Sequence, residues 1–190
     1  MTDDTNDTNL PRLSNAEDFA RADDCWDKGN FKKAFKIFLS LAHRGDVASQ
    51  LNVGYFFDYG ISVRKNKPKA LYWYRRAYAR GSASAAQNIG TVFRDRGNFR
   101  RAEEWFRRAL DCGGEGGALE LAKLHLNSGK HLDRAREYLE TVARSDKVSE
   151  FEKDEAKKLM RGLGQKKLKR VLTAKTSSAK TPVRRGSVQR

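Results

Sequence analysis

Histidine, cysteine and suitably spaced carboxylates would carry acid–base, nucleophilic or metal chemistry, and this chain has few of the first two: His43, His125 and His131, Cys25 and Cys112. His43 falls near the end of an apolar-periodic segment. His125 and His131 straddle a glycine turn, with no acidic or nucleophilic residue at a spacing that would make a base–nucleophile pair. The cysteines lie in different segments and form no CxxC pair, so buried, reduced thiols are expected in place of a zinc site or a disulfide. The run Cys112-Gly113-Gly114-Glu115-Gly116-Gly117 has the glycines of a phosphate-cradling loop. It lacks the loop's lysine, however, and follows a helical pattern where such a loop follows a strand, so it reads as a linker. No catalytic residue, metal site or cofactor is expected, and the chain is not read as an enzyme.

The elements that would position any binding residues repeat along the chain. Gly29-Asn30-Phe31-Lys32-Lys33-Ala34 returns as Gly97-Asn98-Phe99-Arg100-Arg101-Ala102, and again, one residue longer, as Gly129 to Ala135. The alanines at 34, 70, 102 and 135 lie 36, 32 and 33 residues apart, which is the period of a helix–turn–helix repeat. Three residues past each stands Ile37, Trp73, Trp105 or Tyr138, and seven past it Leu41, Ala77, Ala109 or Val142. One face of the second helix, helix B, is therefore apolar in every copy, and Trp73 and Trp105 are expected in the core. Helix A carries a small residue at Ala22, Gly54, Gly90 and Ala122 before the turn glycine, where two helices would approach closely. Ser14 with Glu17 makes a capping-box pattern, and Pro68 suits the first turn of its helix.

The second copy, with Ala48 to Gly54, then Tyr59-Gly60-Ile61-Ser62-Val63, then Lys69-Ala70-Leu71-Tyr72-Trp73-Tyr74-Arg75-Arg76-Ala77, resembles a Sel1-like repeat, a relative of the tetratricopeptide repeat. The third copy keeps Ala102, Trp105 and Ala109 but has the short tetratricopeptide-like turn. The resemblance covers about residues 14 to 145, and is most marked from 47 to 112. It implies an all-α fold: a right-handed α-solenoid of about four antiparallel helix pairs, serving as a protein-interaction scaffold with no shared active site. The tetratricopeptide clamp for C-terminal carboxylates needs Lys and Asn at helix A positions that here carry Tyr55, Asp58, Thr91 and Arg94, which speaks against a chaperone-tail ligand.

By repeat register, the concave face of such a stack is formed by Asp23 and Asp27 of the first copy, and by Tyr55, Asp58 and Tyr59 of the second. Gln87, Thr91 and Arg94 of the third and Lys123 and Asn127 of the fourth complete it. A mixed polar and aromatic groove of this kind suits an extended peptide or a partner helix. Trp26 lies near the exposed side of its helix and is a candidate to face the groove.

Stacked helix pairs need closing, since no pair buries its apolar stripe alone. The chain is accordingly read as an acidic, disordered segment 1–13, repeats over 14–146, a capping helix over 147–163 and a disordered basic tail over 164–190. The net charge of +15 needs a physical use, because it attracts polyanions. On the repeats, Lys32, Lys33, Lys36, Arg75, Arg76, Arg80, Arg100, Arg101, Arg107 and Arg108 sit mainly on helix B, away from the groove. Residues 161–190 hold Lys166, Lys167, Lys169, Arg170, Arg184 and Arg185 and no Asp or Glu. This segment is the expected polyanion contact, for nucleic acid by counterion release or for an anionic membrane surface. It has no aromatic residue to stack on bases. With an acidic start and no apolar run near the ~20 residues of a membrane span, the chain is expected to be cytoplasmic.

Overall fold

The computed structural model describes residues 14–178, with side chains as far as residue 164. Nine α-helices and no strand occur among the described residues. They are α1 (Asn15–Asp27), α2 (Phe31–His43), α3 (Val47–Tyr59), α4 (Lys67–Tyr78), α5 (Ala83–Asp95), α6 (Phe99–Asp111), α7 (Gly116–Ser128), α8 (Leu132–Arg144) and α9 (Glu150–Ser178). Odd-numbered helices up to α7 are the A helices of the repeats and α2, α4, α6 and α8 the B helices. The contacts divide the chain into a unit that ends at Gly117 and a second that begins at Ala118.

In the first unit each helix packs on the next, from α1 to α6, as in an α-solenoid. The sequence marks fall where that packing needs them. Ala22, Ala34, Ala70, Ala102 and Ala77 are fully buried, and the helix A glycines of α3 and α5 each receive a ring from helix B. A Cβ placed on Gly54 would stand 2.4 Å from the Tyr74 ring, and one on Gly90 would stand 2.5 Å from the Phe106 ring. Only a glycine lets these helix pairs close to ring-on-backbone contact. The residue four past each register alanine, Phe38, Tyr74 or Phe106, is thus the plug of its repeat and is buried to within 1 %. Trp73 is core, with only 5 % of its surface exposed. Trp105 is half-buried instead, lying between Tyr78, at 5.0 Å between rings, and the Arg108 guanidinium, at 4.5 Å. Its position on helix B matches that of Trp73, yet Tyr78 of α4 and the guanidinium of its own helix leave it half-buried.

Short side chains fix the helix starts. Ser14 and Glu17 form the expected reciprocal capping box, and Asp46, Asn66, Ser82 and Asn98 each accept a backbone N–H of the third residue on. Gly60 ends α3 at φ 76, the left-handed region that glycine enters without strain. The following Ile61 and Val63 then fold back onto the first unit's core.

In the second unit, Ala122, Ala135, Leu139 and Val142 are fully buried, and α8 packs on α9. Lys123 of α7 bridges to Glu155 of α9 at 3.0 Å. Among the described side chains of α9, Ala156 and Leu163 are buried. The helix runs to Ser178, past Leu163, where the sequence places the end of the cap. Residues 164–178 contain Lys, Arg, Leu, Gln and Ala and no proline, so intrinsic propensity favours continuing the helix. The expected acidic segment 1–13, and residues 179–190 of the expected tail, lie outside the described residues.

Candidate functional site

The helix A residues of the first unit hold a row of exposed rings. Trp26 on α1 is wedged by Phe31, at 5.0 Å between ring centroids, and by Phe56, at 5.3 Å, both edge-on. That leaves its indole half-buried, with Tyr55 at 6.1 Å. Tyr55 and Tyr59, one turn apart on α3, lie 4.3 Å apart and are 37 % and 57 % exposed. A cleft of about 270 Å³ opens beside Trp26 and Tyr55; Asp23 and Asn52 line it too, and Phe38 contributes to its wall. Asn52 escaped the sequence reading, although it stands one turn before Tyr55 and shares its face.

Charge changes sign along this row. Burial, and then the neighbouring Asp27, hold the Asp23 carboxyl above its ordinary range. Neither Asp23 nor Asp27 has an ion-pair partner among the described residues, whereas Asp18 and Asp24 of the same helix pair with Arg21, Arg44 and Lys28. On α5, Arg94 and Asp95 pair at 3.3 Å and are close enough to act on Tyr59. The Tyr59 hydroxyl is raised above its ordinary pKa by burial first and then by Tyr55, Asp58 and Asp95, with Arg94 opposing. Gln87, Thr91 and Arg94 are half-buried on α5.

Asp58 requires a correction to the expected groove. It is 3 % exposed, and its carboxylate accepts hydrogen bonds from Lys67 Nζ and from Tyr74 Oη, the latter at 3.3 Å. Position 58 is one turn beyond Gly54, so it faces the Tyr74 ring and not the open side of α3. Burial and this carboxylate drive the Tyr74 hydroxyl far above its ordinary pKa. In the second unit, Lys123 is taken up by Glu120 and Glu155, and Asn127 is exposed.

The cysteines differ from each other. Cys25 is buried as expected, but Cys112 is exposed, because it caps the end of α6 and does not lie on an apolar face. His125 and His131 approach to 5.5 Å with Tyr138 stacked on His125. No cluster of three or more His, Cys, Asp or Glu side chains that could hold a metal occurs among the described residues. The helix B cations Lys32, Lys33, Arg75, Arg76, Arg100, Arg101, Arg107 and Arg108 are all exposed. Lys166, Lys167, Lys169 and Arg170 fall on the backbone of α9, and Arg184 and Arg185 lie outside the described residues. No helix among the described residues is long and apolar enough to cross a membrane.

Comparison with known proteins agrees with the repeat register. Residues 47–82 match the Sel1 repeat and residues 82–113 a tetratricopeptide repeat. The chain therefore carries a Sel1 repeat and a tetratricopeptide repeat in tandem over residues 47–113. The switch between them falls where the YGxxV loop of the second copy gives way to the short turn of the third.

A Sel1 repeat protein from Oxalobacter formigenes is 22% identical, over 66% of this chain and 56% of that one, with a TM-score of 0.56. The protein c5321, a protective antigen of uropathogenic Escherichia coli with an SLR fold, is 23% identical over 68% of this chain and 30% of its own, with a TM-score of 0.57. BtubC from P. vanneervenii is 18% identical over 92% of this chain and 85% of its own, with a TM-score of 0.54. At these identities the likeness is one of fold. The chain spans 56% and 30% of the length of the first two. No curated protein matches it in sequence. Repeats of this type typically act as non-catalytic scaffolds for protein–protein interaction.

Proposed function

We propose that the chain is a cytoplasmic, non-catalytic adaptor that holds a partner protein or peptide along the helix A face of its first unit. The observation that carries this reading is the row of half-buried Trp26 with exposed Tyr55 and Tyr59 beside the cleft. Apolar ring faces held in contact at a surface leave a patch whose burial by a partner is favourable. The partner lies across α1, α3 and α5 and touches Asp23, Asp27, Tyr55, Tyr59, Gln87, Thr91 and Arg94. Lys123 and Asn127 occupy the equivalent helix A face of the second unit. The test is affinity capture with the full chain against the Tyr55→Ala, Arg94→Ala variant, with helicity checked by circular dichroism. Partners are expected to be lost from a variant that remains folded, and capture of every partner by that variant contradicts the groove.

A second reading rests on the exposed helix B cations and on the acid-free segment from 161 to 190. It makes these the contact for nucleic acid, bound through phosphates without sequence preference. Replacing Lys166, Lys167, Lys169, Arg170, Arg184 and Arg185 with Gln then abolishes a salt-sensitive gel shift. Absence of any shift by the unaltered chain at moderate salt ends this reading.

A further inference from the structure

The cleft between α1 and α3 has a chemistry that selects among protein partners. Asp23 and Asp27 stand one turn apart on α1 without an ion-pair partner among the described residues, in a chain whose net charge is +15. Like charges at that spacing destabilise a helix. Asp23 lines the cleft with Trp26, Asn52 and Tyr55, and Asp27, one turn further along α1, is near enough to act on the Asp23 carboxyl. A cation is attracted both by carboxylates and by the faces of aromatic rings. The cleft, at about 270 Å³, has room for a single side chain delivered by a polypeptide.

We infer that the occupant is an extended basic segment of a partner protein, which seats an arginine or lysine side chain beside Trp26 and Tyr55 with its charge against Asp23 and Asp27. An acidic peptide or a nucleic acid strand meets repulsion at the same two carboxylates. The Asn52 amide, a donor and an acceptor on one side chain, is placed to bind the backbone of the segment. This inference deepens the adaptor reading and rests on it.

The test uses the full chain and two fluorescein-labelled peptides of glycine and serine, one carrying two arginines and the other two glutamates in their place, followed by anisotropy. The arginine peptide is expected to bind and the glutamate peptide is not. Asp23→Asn with Asp27→Asn is expected to weaken binding roughly tenfold or more, and Trp26→Phe, which keeps the packing, to weaken it less. Equal binding of both peptides, preference for the glutamate peptide, or unchanged affinity in the double Asn variant overturns the inference. The two levels separate through the capture experiment. If Tyr55→Ala, Arg94→Ala loses its partners while the arginine peptide never binds, the adaptor reading stands and the basic occupant falls. If that variant keeps its partners, the adaptor reading falls.

Discussion

Gly54 and Gly90 do the same work one repeat apart: each accepts a ring, Tyr74 or Phe106, where a Cβ would collide at 2.4 or 2.5 Å. Gly54→Ala or Gly90→Ala is expected to destabilise the fold by about 1–3 kcal/mol through overpacking, read as a shift of the urea midpoint. Asp58 is sensitive for a different reason. Asp58→Ala leaves the buried Tyr74 hydroxyl without its acceptor, at a cost of about 1–3 kcal/mol. Tyr55→Ala, on the open side of the same helix, should leave the midpoint nearly unmoved. Asp23 has the opposite sign. Its carboxyl is held above the ordinary range by burial and by Asp27, so the folded state binds its proton more tightly than the unfolded state. Its contribution to stability is therefore lost as pH rises from its ordinary value of 3.8 through the raised one. Asp23→Asn should raise the melting temperature slightly at neutral pH and remove the acid-side gain. A lower melting temperature at neutral pH would contradict this.

The elements show which parts of this fold can be read from residue types alone. Helix existence, the register alanines and the small residues of helix A follow from periodicity, because each is a local requirement of a pair of helices meeting. Asp58 and Trp105 were not legible that way. Their surroundings are set by contacts that repeat spacing does not reveal: Tyr74 and Lys67 of α4 for the first, and Tyr78 of α4 with Arg108 of its own helix for the second. Tandem copies of one motif also differ in detail. Asn98 accepts the Arg101 N–H at 3.2 Å, whereas Asn30, at the same place in the first copy, makes no side-chain cap bond. Asn98→Ala should therefore cost about 1 kcal/mol, and Asn30→Ala should cost clearly less. Equal losses in thermal denaturation would contradict the distinction. The length of α9 was missed because a basic, serine- and threonine-containing segment was read by its charge, while Lys, Arg, Leu and Gln are also good helix formers.

At the scale of the molecule, the helix B faces and the helix A face of the first unit differ in character. Lys32, Lys33, Arg75, Arg76, Arg100, Arg101, Arg107 and Arg108 stand exposed on helix B, whereas the helix A face of the first unit begins with Asp23 and Asp27, which have no ion-pair partner among the described residues, and carries an aromatic row. That difference gives one chain of net charge +15 a surface suited to a basic protein segment. The groove was legible in the sequence only as a register, since helix A positions follow from the repeat period. Its aromatic row and its cleft depend on how Phe31 and Phe56 turn the Trp26 ring, which no spacing reveals. The measurement that tests the central claim most directly is a backbone and indole ¹H–¹⁵N titration of the full chain with the arginine peptide. The account predicts shifts concentrated at the Trp26 indole and at Asp23, Asn52 and Tyr55. Shifts that avoid α1 and α3 and gather on α2, α4 and α6 would contradict it.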